Sequence, residues 1–179
     1  MATSQPFAKE MTNREFFIRR SEQEYPAFLH VLKAVPADRL DYRPEPRARS
    51  AGELLALYVG IEQAGNELCK KGELRLEDSG SIAKRDEMVA AYQQNHEALG
   101  KRLRQMDDAT WNKRSKCWEH GQVEVEDTVG GLFWLFLFDA VHHRGQLSTY
   151  IRPMGGKVPS IYGPSVDQPS AKCSSVCLT

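Results

Sequence analysis

Neither sign of charge is in excess: 24 lysines and arginines stand against 24 aspartates and glutamates in 179 residues, and the formal net charge is zero. A chain without a net field has no overall attraction to phosphate backbones or anionic membrane surfaces, so neither is an expected partner. Long apolar runs are lacking too. No window approaches the roughly 20 apolar residues that span a bilayer, and the opening MATSQPFAKEMTN has no apolar core like that of a secretory leader. A cytoplasmic location is the expectation. Cysteines are few: Cys69 and Cys117 stand alone, and Cys173 and Cys177 form one C-x-x-x-C in PSAKCSSVCLT without a second pair to complete a tetrahedral zinc site. The final VCLT does not place a cysteine fourth from the end, where a prenylation signal would have one, so no lipid anchor is expected from it. There is no glycine-rich phosphate loop between a strand and a helix, and no G-x-S-x-G nucleophile turn.

What is present is ordinary for one globular domain, with 41% hydrophobic and 27% charged residues. Thr12 with Glu15, and Ser50 with Glu53, have the spacing of capping boxes and open two helices, the first running to about position 35 before Pro36 and the second beginning SAGELLALYVG. KKGELRLEDSGS reads as a polar loop. A third helix over about 82–106 has an apolar stripe and a charged face. Trp111 closes a short helical turn, and the VEVE alternation after HGQ allows a small hairpin. Asp127 is placed to cap a fourth long helix, whose 132–138 run is apolar all round and predicts the most buried of the four. Gly155 and Gly156 stop it. These elements predict an all-α bundle over residues 1–167, with irregular connectors and a loop-like, mobile tail over 168–179.

The residues that carry chemistry lie in FDAVHHRGQL, 138–147. At helical spacing Asp139, His143, Gln146 and Tyr150 share one stripe, and His142 points about 100° away. A carboxylate and an imidazole at i and i+4 can ligate one divalent ion. They can equally satisfy one another and Gln146 in a polar seam, and spacing alone does not choose. His142 reads as packed or hydrogen-bonded, and Arg144 as the partner of a carboxylate. Glu53 is explained by its cap, and Glu62 as a solvated or pairing residue. His30, His96 and His120 lie on separate segments without a second ligand at helical or turn spacing, and His30 and His96 read as surface or packing residues.

HHRGQLSTYIRPMGGKVPSIYGPSVD resembles the C-terminal signature of the DinB/YfiT-like superfamily, and PADRLDYRPEPRARSAGELL with MVAAYQQNHEAL resembles its first connector, second-helix start and third helix. The resemblance runs to about Asp167. It implies an up-down-down-up four-helix bundle, usually dimeric, with a divalent metal held by a histidine on the second helix and an i, i+4 pair on the fourth. Some members are thiol-dependent transferases or isomerases, and others resemble metal-dependent hydrolases. The family name records induction by DNA damage. Carried over by residue, His143 fits the last ligand and Asp139 the other fourth-helix ligand. Leu57 stands where the second-helix histidine is expected, and leucine coordinates nothing.

Two readings follow. In one, a weakened site for zinc or nickel persists at Asp139 and His143, with Leu57, His142, Gln146, Tyr150 and Glu62 lining the pocket and Glu62, Glu53 or a second subunit supplying the third donor. In the other, the site is degenerate, and a homodimeric bundle binds a small molecule or serves a structural role without catalysis.

Overall fold

The computed structural model describes residues 10–76 and 84–169. Helix α1, Asn13–Ala34, starts where Thr12 Oγ1 accepts the Glu15 N–H at 3.2 Å and the Glu15 carboxylate accepts the Thr12 N–H at 2.8 Å. The same exchange between Ser50 and Glu53 opens α2, Ala51–Lys71. Such caps stabilise a helix by about 1 kcal/mol each, because amides in the first turn have no partner within the helix. Gly72 ends α2 at φ 73°, its N–H donating to Leu68 O, in a left-handed conformation that a side chain would strain. Helix α3, Arg85–Gln105, follows the undescribed stretch 77–83.

The chain is mostly helical, but it is not all-α. Leu74–Leu76 (β1) pairs in parallel with Arg114–Glu119 (β2), which pairs antiparallel with Gln122–Thr128 (β3). The strand inside the expected polar loop is only three residues long, too short to show alternation in sequence. It forms because Leu74 buries itself beside Cys117. The expected hairpin is present: His120 (φ 49°) and Gly121 (φ 79°) are both left-handed, which gives a two-residue turn the twist its strands need. The expected helical turn at Trp111 is α4, Asp108–Trp111, capped by the Asp107 carboxylate.

Helix α5, Val129–Ile151, is capped one residue later than expected. Thr128 Oγ1 accepts the Gly131 N–H at 2.9 Å, while the Asp127 carboxylate accepts the Thr128 N–H. Nor is its apolar run buried all round. Leu132 and Phe133 point into the core, whereas Leu135 and Phe138 are 43% and 65% exposed. Successive residues turn by about 100°, so a uniformly apolar run covers both an inner and an outer face. After Ile151 the chain turns through Gly155, at φ 86°, so the expected glycine stop holds.

Helices α1 and α2 each pack against both α3 and α5. One buried cluster gathers Phe28, Leu32, Leu54, Tyr58, Leu147 and Ile151. A second joins the sheet to the bundle through Leu74, Leu103, Trp111, Cys117 and Phe133, with the Trp111 and Phe133 rings stacked at 5.7 Å. Gly130 lies directly under Trp111, where a Cβ would overlap the indole.

Between α1 and α5 lies a buried ion pair. Arg144, 2% exposed, donates from Nη1 to Glu24 Oε2 at 2.7 Å, and its guanidinium lies 4.5 Å from the Phe28 ring centroid and 4.8 Å from that of Tyr162. The Tyr162 hydroxyl donates to the same Glu24 oxygen at 2.8 Å and accepts from Arg144 Nη2. This ties the segment after α5 to the bundle. Burial alone would push the Glu24 carboxyl up, but hydrogen bonds from Arg144 and Tyr162 and the guanidinium charge together hold it below its ordinary value.

Two outcomes are expected. Gly130→Ala should lower stability by about 1–3 kcal/mol in urea denaturation, because the indole must move. Glu24→Gln should cost about 3–5 kcal/mol at neutral pH, since it leaves a buried guanidinium uncompensated. The wild-type carboxyl is lowered on folding, so its contribution is complete above the ordinary carboxylate value and is lost as pH falls through the folded value. The difference between wild type and Glu24→Gln should therefore hold from neutral to about pH 5 and shrink in stronger acid.

Candidate functional site

The position of Arg144 sets the rotation of α5, and its neighbour His143, about 100° further round, turns toward the connector that leads into α2. His143 is buried, with Nδ1 3.0 Å from Gln146 Oε1. Gln146 Nε2 in turn donates to the Tyr150 hydroxyl at 3.1 Å, and the buried Tyr150 ring meets Tyr42 edge-on at 5.7 Å. Since Gln146 uses its amide nitrogen on Tyr150, its oxygen accepts from His143 Nδ1–H, and Nε2 faces away from Gln146. Two groups approach that nitrogen. Asp139 Oδ1, from a side chain 46% exposed, lies at 3.4 Å, and Arg49 Nη1 lies at the same distance. A guanidinium can only donate and a carboxylate can only accept, so Arg49 and Asp139 make opposite demands on Nε2.

The structure thus brings Asp139, His143, Gln146 and Tyr150 into one connected row on α5. Leu57 lines, with Asp139, Arg49 and His120, a groove of about 1000 Å³ that runs from α2 to the sheet. His142 is exposed, its ring edge-on to that of His143 at 5.0 Å. Glu62 is elsewhere: it is buried in the bundle, where Oε1 lies 3.0 Å from His96 Nδ1. Glu53 is held by its cap and by two 2.8 Å bonds from Arg43. Neither glutamate reaches the Asp139 and His143 pair.

A divalent ion needs at least a third protein donor for firm binding at such a site. Among the described residues no group of three His, Cys, Asp or Glu side chains is arranged to hold a metal ion. Leu57 offers no lone pair, and the Arg49 cation occupies the approach to His143 Nε2. The donor set does not fit a divalent metal.

Arg49 was not singled out by sequence reasoning. The residue directly before the Ser50 cap is forced by the start of α2 to leave the helix axis, and that was the available signal. The Glu62 and His96 contact joins residues 34 positions apart on different helices and left no local pattern.

The two described cysteines are poor nucleophiles. Burial pushes the Cys69 thiol up to about 11 despite the Arg102 charge, and burial with nearby glutamates raises that of Cys117. Cys173 and Cys177 fall outside the described residues, as does most of the expected tail, although Gln168 is anchored through Ser160 and Ser165. Iodoacetamide at neutral pH should leave Cys69 and Cys117 unmodified in the folded protein and alkylate both in denaturant. Peptide mass spectrometry reads this directly.

Among the described residues, no helix is long and apolar enough to cross a membrane. Crystal structures of DinB-like proteins from Bacillus subtilis and Bacillus cereus superpose with TM-scores of 0.61 and 0.62, each at 16% sequence identity. The first match covers 86% of this chain and 99% of the other, and the second covers 83% and 97%. At such identity the likeness concerns fold alone. No curated protein matches the chain significantly. The DinB family profile matches residues 11–172, nearly the whole described chain. The chain belongs to the DinB family.

Proposed function

We propose that this DinB-family protein is a non-catalytic binding module in which the family's metal position has been replaced by a charge-compensated polar seam. One observation carries this reading: the group that reaches His143 beside Asp139 is the Arg49 guanidinium, a cation, and Leu57 lines the same groove as Asp139 and Arg49 without offering a donor. The Arg49 guanidinium supplies part of the positive charge that an ion would bring. Because Arg49 is exposed, its contact with His143 is weak in water and can be displaced. The groove then offers a small polar molecule a donor in Arg49, an acceptor in Asp139 and an apolar wall in Leu57.

The setting proposed for this module is a cytoplasmic homodimer with no nucleic-acid or membrane partner. The exposed Phe16 and Phe138, joined through the partly buried Trp134 with ring centroids 5.7 and 5.8 Å apart, support a protein contact on that face. The long helices are read as running up-down-down-up. In support, the stretch 72–84 can extend to about 43 Å, more than the roughly 31 Å of the 21-residue α2, which is enough to bring α3 back parallel to it.

The retained i, i+4 pair of Asp139 and His143 favours a second reading, a zinc- or nickel-dependent hydrolase or thiol transferase with a weakened site. Metal analysis by mass spectrometry separates the two. Protein prepared without affinity resin, offered zinc or nickel and then desalted, should retain neither ion. The Arg49→Ala/Leu57→His variant should retain close to one ion per chain, because it restores the third donor and removes the competing cation. Stoichiometric metal in the wild type that disappears in Asp139→Ala/His143→Ala would favour the enzyme.

A further inference from the structure

Two groups of opposite charge compete for one nitrogen at the end of the α5 row. Asp139 Oδ1 and Arg49 Nη1 each lie 3.4 Å from His143 Nε2. That nitrogen cannot serve both. When it accepts from Arg49, Asp139 receives no donor from it, and when it carries a proton for Asp139, the imidazolium repels the guanidinium. The two charges stand within twice that distance of each other, yet no ion pair joins them, and among the described residues Arg49 meets no other carboxylate. In either state of His143, one of the two charges is left without a partner.

Both charges line the groove of about 1000 Å³ along α2, and so do the apolar side chains of Leu57 and Phe136. Phe136 stands three residues before Asp139 on α5, so the two share one side of that helix. Gly60, three residues beyond Leu57 on α2, lines the same groove, and a Cβ added there would meet nothing within 4 Å. A molecule anchored at the two charges therefore has apolar surface and open space in the groove that holds them.

We propose, on the strength of the metal-free reading of this seam, that the groove is a binding site for a free α-amino acid with an apolar side chain. The ligand's carboxylate accepts from Arg49, its ammonium donates to Asp139, and its side chain lies against Leu57 and Phe136. An anion alone would gain Arg49 but bring like charge to Asp139, and a cation alone would do the reverse. A zwitterion with both signs on neighbouring atoms meets both groups and leaves His143 Nε2 with no conflict to resolve. In an α-amino acid the ammonium nitrogen and the carboxylate oxygens are about 3 Å apart, so each falls beside its opposite on the protein. Either contact alone is weak at an exposed site, whereas one rigid head group makes the two together.

The test is calorimetric titration of the full chain with L-leucine, with isoamylamine, which is leucine without its carboxylate, and with isocaproate, which is leucine without its ammonium. Saturable binding of leucine, at least about tenfold tighter than that of either analogue, is the expected result. Arg49→Gln should weaken leucine and isocaproate but not isoamylamine, and Asp139→Asn should weaken leucine and isoamylamine but not isocaproate. Far-ultraviolet circular dichroism and the denaturation midpoint verify that each variant is folded. Absence of saturable leucine binding by wild type, an analogue that binds as tightly as leucine, or undiminished leucine binding in either variant would overturn the amino-acid site. The metal-free seam would still stand in those cases, provided that wild type offered zinc and then desalted retains none. Retained zinc would overturn both.

Discussion

Everything about the candidate site follows from where α5 is clamped, and the clamp is the buried pair of Arg144 and Glu24. Two charges withdrawn from water are tolerated only when their remaining valences are also met. Here Phe28 and Tyr162 flank the guanidinium, and the Tyr162 hydroxyl donates to the carboxylate. Such an arrangement has few rotational alternatives. It fixes the helix about its own axis, and the rotation of its neighbours is determined by covalent geometry.

From that rotation comes the row of His143, Gln146 and Tyr150, each satisfying the next. The chemistry at the end of the row depends on what other elements bring to it. In this chain the connector brings Arg49, and α2 brings Leu57 into the same groove. A cation and an alkyl side chain make a surface suited to holding a polar molecule and poorly suited to holding a divalent ion. The retained Asp139 and His143 pair and the groups that surround it therefore point in different directions, and the local donor set is the more direct guide to chemistry.

The parts of the fold legible in the sequence were those with short-range causes. Both capping boxes form where S/T-x-x-E occurs, and the hairpin turns at His120 and Gly121, since these patterns act within four residues. The strand Leu74–Leu76 was not legible, because its stability comes from pairing with β2 far along the chain. The exposure of Phe138 and Leu135 was hidden for a related reason: hydrophobicity marks a residue that benefits from burial without saying whether the core or another surface supplies it. At the site, the spacing of Asp139 and His143 was readable. Arg49, 94 positions from His143, and the pairing of Arg144 with Glu24, 120 positions away, arise from tertiary packing alone.

The most direct measurement of whether the seam has replaced a metal centre is long-range nitrogen-15 NMR of the His143 imidazole, recorded before and after one equivalent of zinc. The expected spectrum shows the proton on Nδ1, bonded to Gln146, and no change at Nε2 on adding zinc. A coordination shift at Nε2 on stoichiometric zinc, lost in Asp139→Ala, would contradict the account.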